Sequence, residues 1–294
     1  MKGKLWILAG AAGAAAGLIR RWEMTAAYDP ETGLIQAGHP GLALLAVLSL
    51  AAAVVLAVLC RRGPELPREA WPQAFCTPGN TGLLSLRVCA GFLTLAGGVL
   101  SLADFSAVFR ELSLRRQYEE GVTLLPALAP LALGLLALAA GACLLWLARG
   151  WHQGRPSDFA LPTLAPALFA CVWLLTAERS RASNPVVEVY LWFFFAIIAL
   201  VLACYTGAGF SFRNGRPAAA RTFCWLAVYF ALLTLLGDSH SVQEYLLLAG
   251  GALWCAAQGE ALSGTAWRQP PPEKAPAAAE AEADDGEDDV DFVL

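Results

Sequence analysis

Charge is scarce in this chain. Of its 294 residues only 15% are Asp, Glu, Lys or Arg, while 57% are hydrophobic and the mean hydropathy is +0.55. Soluble domains carry about 25% charged residues, so the composition excludes an ordinary soluble fold. Enzyme signatures are missing as well. There is no HExxH, no GxSxG and no phosphate-binding glycine loop. The eight cysteines (60, 76, 89, 143, 171, 204, 224 and 255) never form CxxC, and they read as small apolar packing residues rather than as a disulfide framework or metal site. His39, His152 and His240 are isolated at loop positions, so no shared metal site and no cofactor is expected. No basic cluster offers itself to nucleic acid. The net charge of −4 misleads, because six acidic residues crowd the last eleven positions.

What is present is long apolar runs. Residues 187–210, VEVYLWFFFAIIALVLACYTGAGF, hold one charged side chain, Glu188. At ~1.5 Å per residue, about 20 such residues cross a ~30 Å hydrocarbon slab. A helix apolar on all sides must be buried in protein or lipid, and seven further segments resemble this one. The pattern therefore predicts an all-α, polytopic transmembrane bundle of about eight helices, over 5–21, 41–60, 86–106, 124–148, 160–177, 187–206, 221–236 and 243–258. Residues 1–267 form the membrane domain, and 268–294 form a Pro/Ala/acid-rich tail that cannot build a core. The lipid bilayer is the expected environment and the cell membrane the expected location.

Local signals refine the boundaries. The first segment also describes a secretory signal peptide, but Arg20 and Arg21 directly after it favour an uncleaved helix. Gly10, Gly13 and Gly17 make a small-residue face suited to close packing. A turn is expected at Asp29–Gly33, and an irregular loop before residue 86. Residues 110–120, RELSLRRQYEE, read as a short surface helix with Glu111 and Arg115 at i, i+4. Asp158 is a candidate cap for the fifth helix, and Asn184, Pro185 and Glu188 suit the start of the sixth. Ser241 and Glu244 spell a capping box for the eighth. Pro130 and Pro166 lie inside expected helices and should bend them.

Lys and Arg divide thirteen to seven between the two sides when the N-terminus is placed inside, which predicts cytoplasmic termini. Two internal echoes compete. Arg87…Asp104 and Arg221…Asp238 share a 17-residue spacing, with Cys89 and Cys224 nearby, as parallel four-helix repeats would. LPALAP at 125–130 and LPTLAP at 161–166 would instead be related by inversion.

No ionisable group falls at mid-helix. Asp104, Glu178, Glu188, Asp238 and Glu244 sit at expected outer ends, with Tyr190 and His240 nearby, and could ring an outer vestibule for a cation or basic solute. The alternative is interfacial and capping acids in water. Arg213 and Arg216 are candidate contacts for anionic headgroups. Acids around Val290, Phe292, Val293 and Leu294 in the tail offer a short motif for a cytoplasmic protein with a basic groove.

Tyr28-Asp29-Pro30, Thr32-Gly33-Leu34 and the stretch from Asn184-Pro185 through Tyr205 to Gly237-Asp238-Ser239-His240-Ser241 resemble an uncharacterised family of eight-helix membrane proteins from anaerobic Gram-positive bacteria. The resemblance implies the architecture and no activity. Three readings stay open: a small-solute or ion transporter or channel, a non-catalytic accessory or scaffold protein that works through its tail, and a membrane enzyme or sensor.

Overall fold

The computed structural model describes residues 5–27, 40–63, 66–118, 123–155, 160–181 and 190–263. Among these, every regular element is helical: α1 (Leu5–Ala26), α2 (Pro40–Arg61), a short 3-10 helix (Arg68–Gln73), α3 (Thr81–Tyr118), α4 (Leu125–His152), α5 (Leu164–Arg181), α6 (Leu191–Ser211), α7 (Pro217–Gly237) and α8 (Val242–Ser263). The turn at 29–33, the candidate caps Asp158 and Asn184, the site candidate Glu188 and the tail 268–294 lie outside the described residues.

Five helices, α2, α3, α4, α6 and α7, are long and apolar enough to cross a membrane, which fits a membrane protein. The other three differ for a local reason. α1 carries Arg20, Arg21 and Glu23 in its last turns, α5 has 18 residues and ends on Glu178, Arg179 and Arg181, and α8 carries Glu244 and Glu260. All three pack in the same bundle.

Several boundaries depart from the expectation. α3 starts at Thr81, five residues before the expected 86, because the Asn80 side chain accepts the Leu83 N–H at 3.1 Å and caps it. It then continues unbroken through Tyr118, so the expected surface helix at 110–120 is the end of α3. Its 38 residues make a rod of about 57 Å, longer than the hydrocarbon slab. The loop before it is not irregular throughout, since residues 68–73 form the 3-10 turn. α7 starts at Pro217 rather than 221, with the proline in the first turn, where its missing N–H costs nothing. α5 starts at Leu164 rather than 160, so Pro166 also falls in a first turn and does not bend a helix interior. Pro130 does lie inside α4.

α3, α4, α5, α6 and α8 close a ring in which each packs on the next and α8 returns to α3. α7 covers the seam between α6 and α8, and its other side carries α1 and α2. The α1–α7 seam is built on the expected small-residue face. A Cβ on Gly13 would stand 2.8 Å from the Tyr229 carbonyl oxygen, and one on Gly17 would stand 2.7 Å from the Leu236 Cβ. Gly10 has nothing within 4 Å and faces away. α2 leans on α1 and α7 through Leu45, Leu56 and a 3.1 Å hydrogen bond between Ser49 and the Tyr229 hydroxyl. Its other face exposes Leu44, Val47, Leu50, Val54 and Val58, the surface a helix presents to lipid. The packing does not divide the molecule into helices 1–4 and 5–8, since α1 packs chiefly on α7, α2 packs equally on α1 and α7, and α3 packs on α8 as well as α4.

Candidate functional site

Polar side chains gather where α1, α3, α5 and α7 end and α4, α6 and α8 begin, here called the Arg20 end. Arg20 is wholly buried. Its Nε donates to Asp238 Oδ1 at 2.9 Å and its Nη1 to Glu23 Oε2 at 2.8 Å. A guanidinium buried in an apolar bundle persists only when carboxylates compensate it, and here they come from α1 itself and from the residue after α7. The Tyr245 hydroxyl donates to the Asp238 carbonyl at 3.0 Å, which draws α8 to the same corner.

A second cluster lies beside it. The Ser241–Glu244 capping box forms, with the Glu244 N–H on Ser241 Oγ and the Ser241 N–H on Glu244 Oε2, both at 3.3 Å. The same carboxylate accepts from Arg181 at 2.7 Å and lies 3.5 Å from His240 Nδ1. Arg181 and His240 both lie against the Phe193 ring, at 4.2 and 5.0 Å from its centre. Gln243 Nε2 donates to Ser101 Oγ at 2.6 Å, tying α8 to α3.

Between α4, α5 and α8 this end holds a cavity of about 590 Å³, within the range of about 300–1,000 Å³ usual for ligand sites. Its polar wall includes Arg179, Arg181, Gln243 and Glu244, and its apolar wall includes Pro130, Leu133 and Trp173. Leu133 lies eight residues into α4, so the cavity reaches about 12 Å along that helix. Pro130 cannot donate to the Pro126 carbonyl, which leaves an acceptor in the same wall.

Beyond Trp173 the described residues of the ring are closely packed. Leu144, Phe169, Leu200 and Trp254 are buried, and the voids among them include two of about 20 Å³ each, with room for about one water apiece. At the opposite end, the Arg87 end, the loop between α2 and α3 seats Phe75 against Trp151 and Phe210. Arg87 holds it there. The buried guanidinium donates to the Phe75 carbonyl at 2.9 Å and to Thr77 Oγ1 at 3.2 Å, and stands 5.0 Å over the Trp151 ring. The Thr77 N–H closes the link on the Trp151 carbonyl at 3.1 Å. Burial pushes the neighbouring Cys76 thiol up to about 11, against the opposing pull of Arg87, so this loop cysteine is a poor nucleophile near neutral pH.

The candidates from the sequence scatter. Asp238 and His240 stand at the Arg20 end, Asp238 against Arg20 and His240 beside the Glu244 carboxylate. Tyr190 is half-buried at the start of α6 with its ring 5.3 Å from Phe194. Asp104 and Glu178 are exposed and line none of the cavities described here. Arg213 and Arg216 are exposed at the Arg87 end, Arg213 in a turn at φ 55°. Arg216 lines, with Arg61, a cleft of about 400 Å³ between α2 and α7. Asp238 pairs with Arg20 and Glu244 with Arg181. In the sequence, Arg20 and Arg181 stand only as charges flanking apolar runs. The one sequence signal for their role was that Arg20 precedes Glu23 by three residues.

No family model, no curated protein and no solved structure matches this chain.

Proposed function

We propose that the chain is a multi-pass small-solute transporter, with the cavity at the Arg20 end as its solute site and the Phe75 loop as the closed gate at the other end. What carries the reading is the opposition along one ring of helices: an open cavity of about 590 Å³ at one end, and at the other an aromatic plug latched by a buried arginine. Alternating access needs such a pair of ends about a closed middle. The positive-inside bias puts the Arg87 end and both termini in the cytoplasm, so the cavity faces outward.

The filled axis favours a second reading, a closed accessory bundle whose work is done by its surface and acidic tail. Cys76 separates the two. In proteoliposomes, Arg87→Gln frees the loop and speeds maleimide labelling of Cys76 more than tenfold at pH 7.5. Phe75→Ala does the same should Arg87→Gln fold poorly. Labelling as slow as wild type in both variants would assign the closed bundle instead.

A further inference from the structure

We propose that the cavity at the Arg20 end takes an organic anion with an apolar body, its carboxylate or phosphate head bound by Arg179 and Arg181 and its hydrocarbon part laid on Trp173, Leu133 and Pro130. The proposal rests on the transporter reading and adds the substrate class.

Charge points first to an anion. The ionisable residues described in the cavity wall are Arg179, Arg181 and Glu244, an excess of one positive charge. Both oxygens of Glu244 are engaged, and Arg181 balances its charge. One of its oxygens accepts from Arg181, and the other accepts the Ser241 N–H and faces His240. Among the described residues no other carboxylate lines the cavity.

The donors agree. Thr176 and Ser180 spend their hydroxyl protons inside α5, on the Trp173 and Ala177 carbonyls at 2.9 Å each. Gln243 gives a proton to Ser101. The guanidinium groups are not spent. Arg181 uses Nη2 on Glu244 and has further N–H groups, because the fork carries five donors. Arg179 is exposed and enters no ion pair among the described residues. Guanidinium forks in the wall favour carboxylate or phosphate over halide, since such heads accept two parallel N–H bonds from one guanidinium.

The floor sets the rest of the ligand. Trp173 and Leu133 close the floor as buried residues, and Pro130, Ala129 and Leu125 in the same wall present an apolar surface that a bare inorganic anion would leave uncovered. An anion carrying a short hydrocarbon chain covers both walls. Such an ion can be a free organic acid or the head of an anionic lipid.

Thr176→Cys in a background with the eight native cysteines replaced gives the test, in phosphatidylcholine liposomes with an impermeant maleimide. Octanoate and octyl phosphate are expected to slow labelling at least tenfold, octylammonium and octyl glucoside less than twofold. Arg179→Gln, at an exposed position, is expected to raise the half-protecting octanoate concentration about tenfold. Liposomes containing phosphatidylglycerol distinguish the sources: slow labelling without added solute assigns the head to lipid, and unchanged labelling assigns it to a free acid. A melting scan of the wild-type chain in detergent, with octanoate against octylammonium, needs no cysteine variant and should show stabilisation by the carboxylate alone. Equal protection by octylammonium would overturn the anion class and leave the cavity as a solute site. Failure of every probe to protect or stabilise would overturn the cavity as a solute site, and the transporter reading with it.

Discussion

Arg20 ends an apolar run, and its hydropathy context marks it only as a stop. Its partner Asp238 lies 218 residues along the chain, and no local pattern connects the two. The pairing sets a sharp energetic expectation. Removing one member of a buried ion pair leaves an uncompensated charge and costs about 3–5 kcal/mol, whereas replacing the whole set by apolar residues is often neutral. Arg20→Leu is therefore expected to lower stability in detergent by that amount, read as a drop in melting temperature. Adding Glu23→Leu and Asp238→Leu should recover most of the loss. A single variant that melts like wild type would mean that the charges are solvated and the corner is open to water. Glu244 shows the opposite case. Its capping role was legible from Ser241 three residues earlier, but its bond to Arg181 was not, since that pair spans 63 residues.

The helices were the most legible part of the fold, because apolar runs of about 20 residues have few alternatives. The misses have physical causes. α3 extends at both ends beyond its apolar run, at one by an Asn80 cap and at the other by polar residues whose Glu111–Arg115 pair, at 2.8 Å, lies in solvent and adds little. Pro130 and Pro166 share a sequence echo, yet one lies inside a helix and the other in a first turn, a difference set by where each helix starts. The glycine face of α1 was legible as a face, but its partner was not. That partner is α7, the helix that also carries α2. Gly17→Leu should clash with the Leu236 side chain and the backbone of α7 and cost about 1–3 kcal/mol, whereas Gly10→Leu points into open space and should be silent. Thermal unfolding of the two variants side by side checks this, and equal melting would refute the α1–α7 seam.

At the scale of the whole molecule, composition and hydropathy already implied a membrane bundle. They could not supply the ring. Ring closure depends on α8 returning to α3, and the sequence separation of those helices hides it. Nor could they show that the two ends differ, with polar groups and a cavity at one and an aromatic plug at the other. That asymmetry is the central claim, and substituted-cysteine accessibility tests it most directly. Single cysteines at Thr176, Leu133, Leu144 and Leu200, in intact cells and in inverted vesicles, would be probed with an impermeant thiol reagent. With the gate latched and no solute added, the account predicts labelling at 176 and 133 from the outside only, and none at 144 or 200 from either side. Labelling at 144 or 200 in that resting state, or silence at 176, would contradict it.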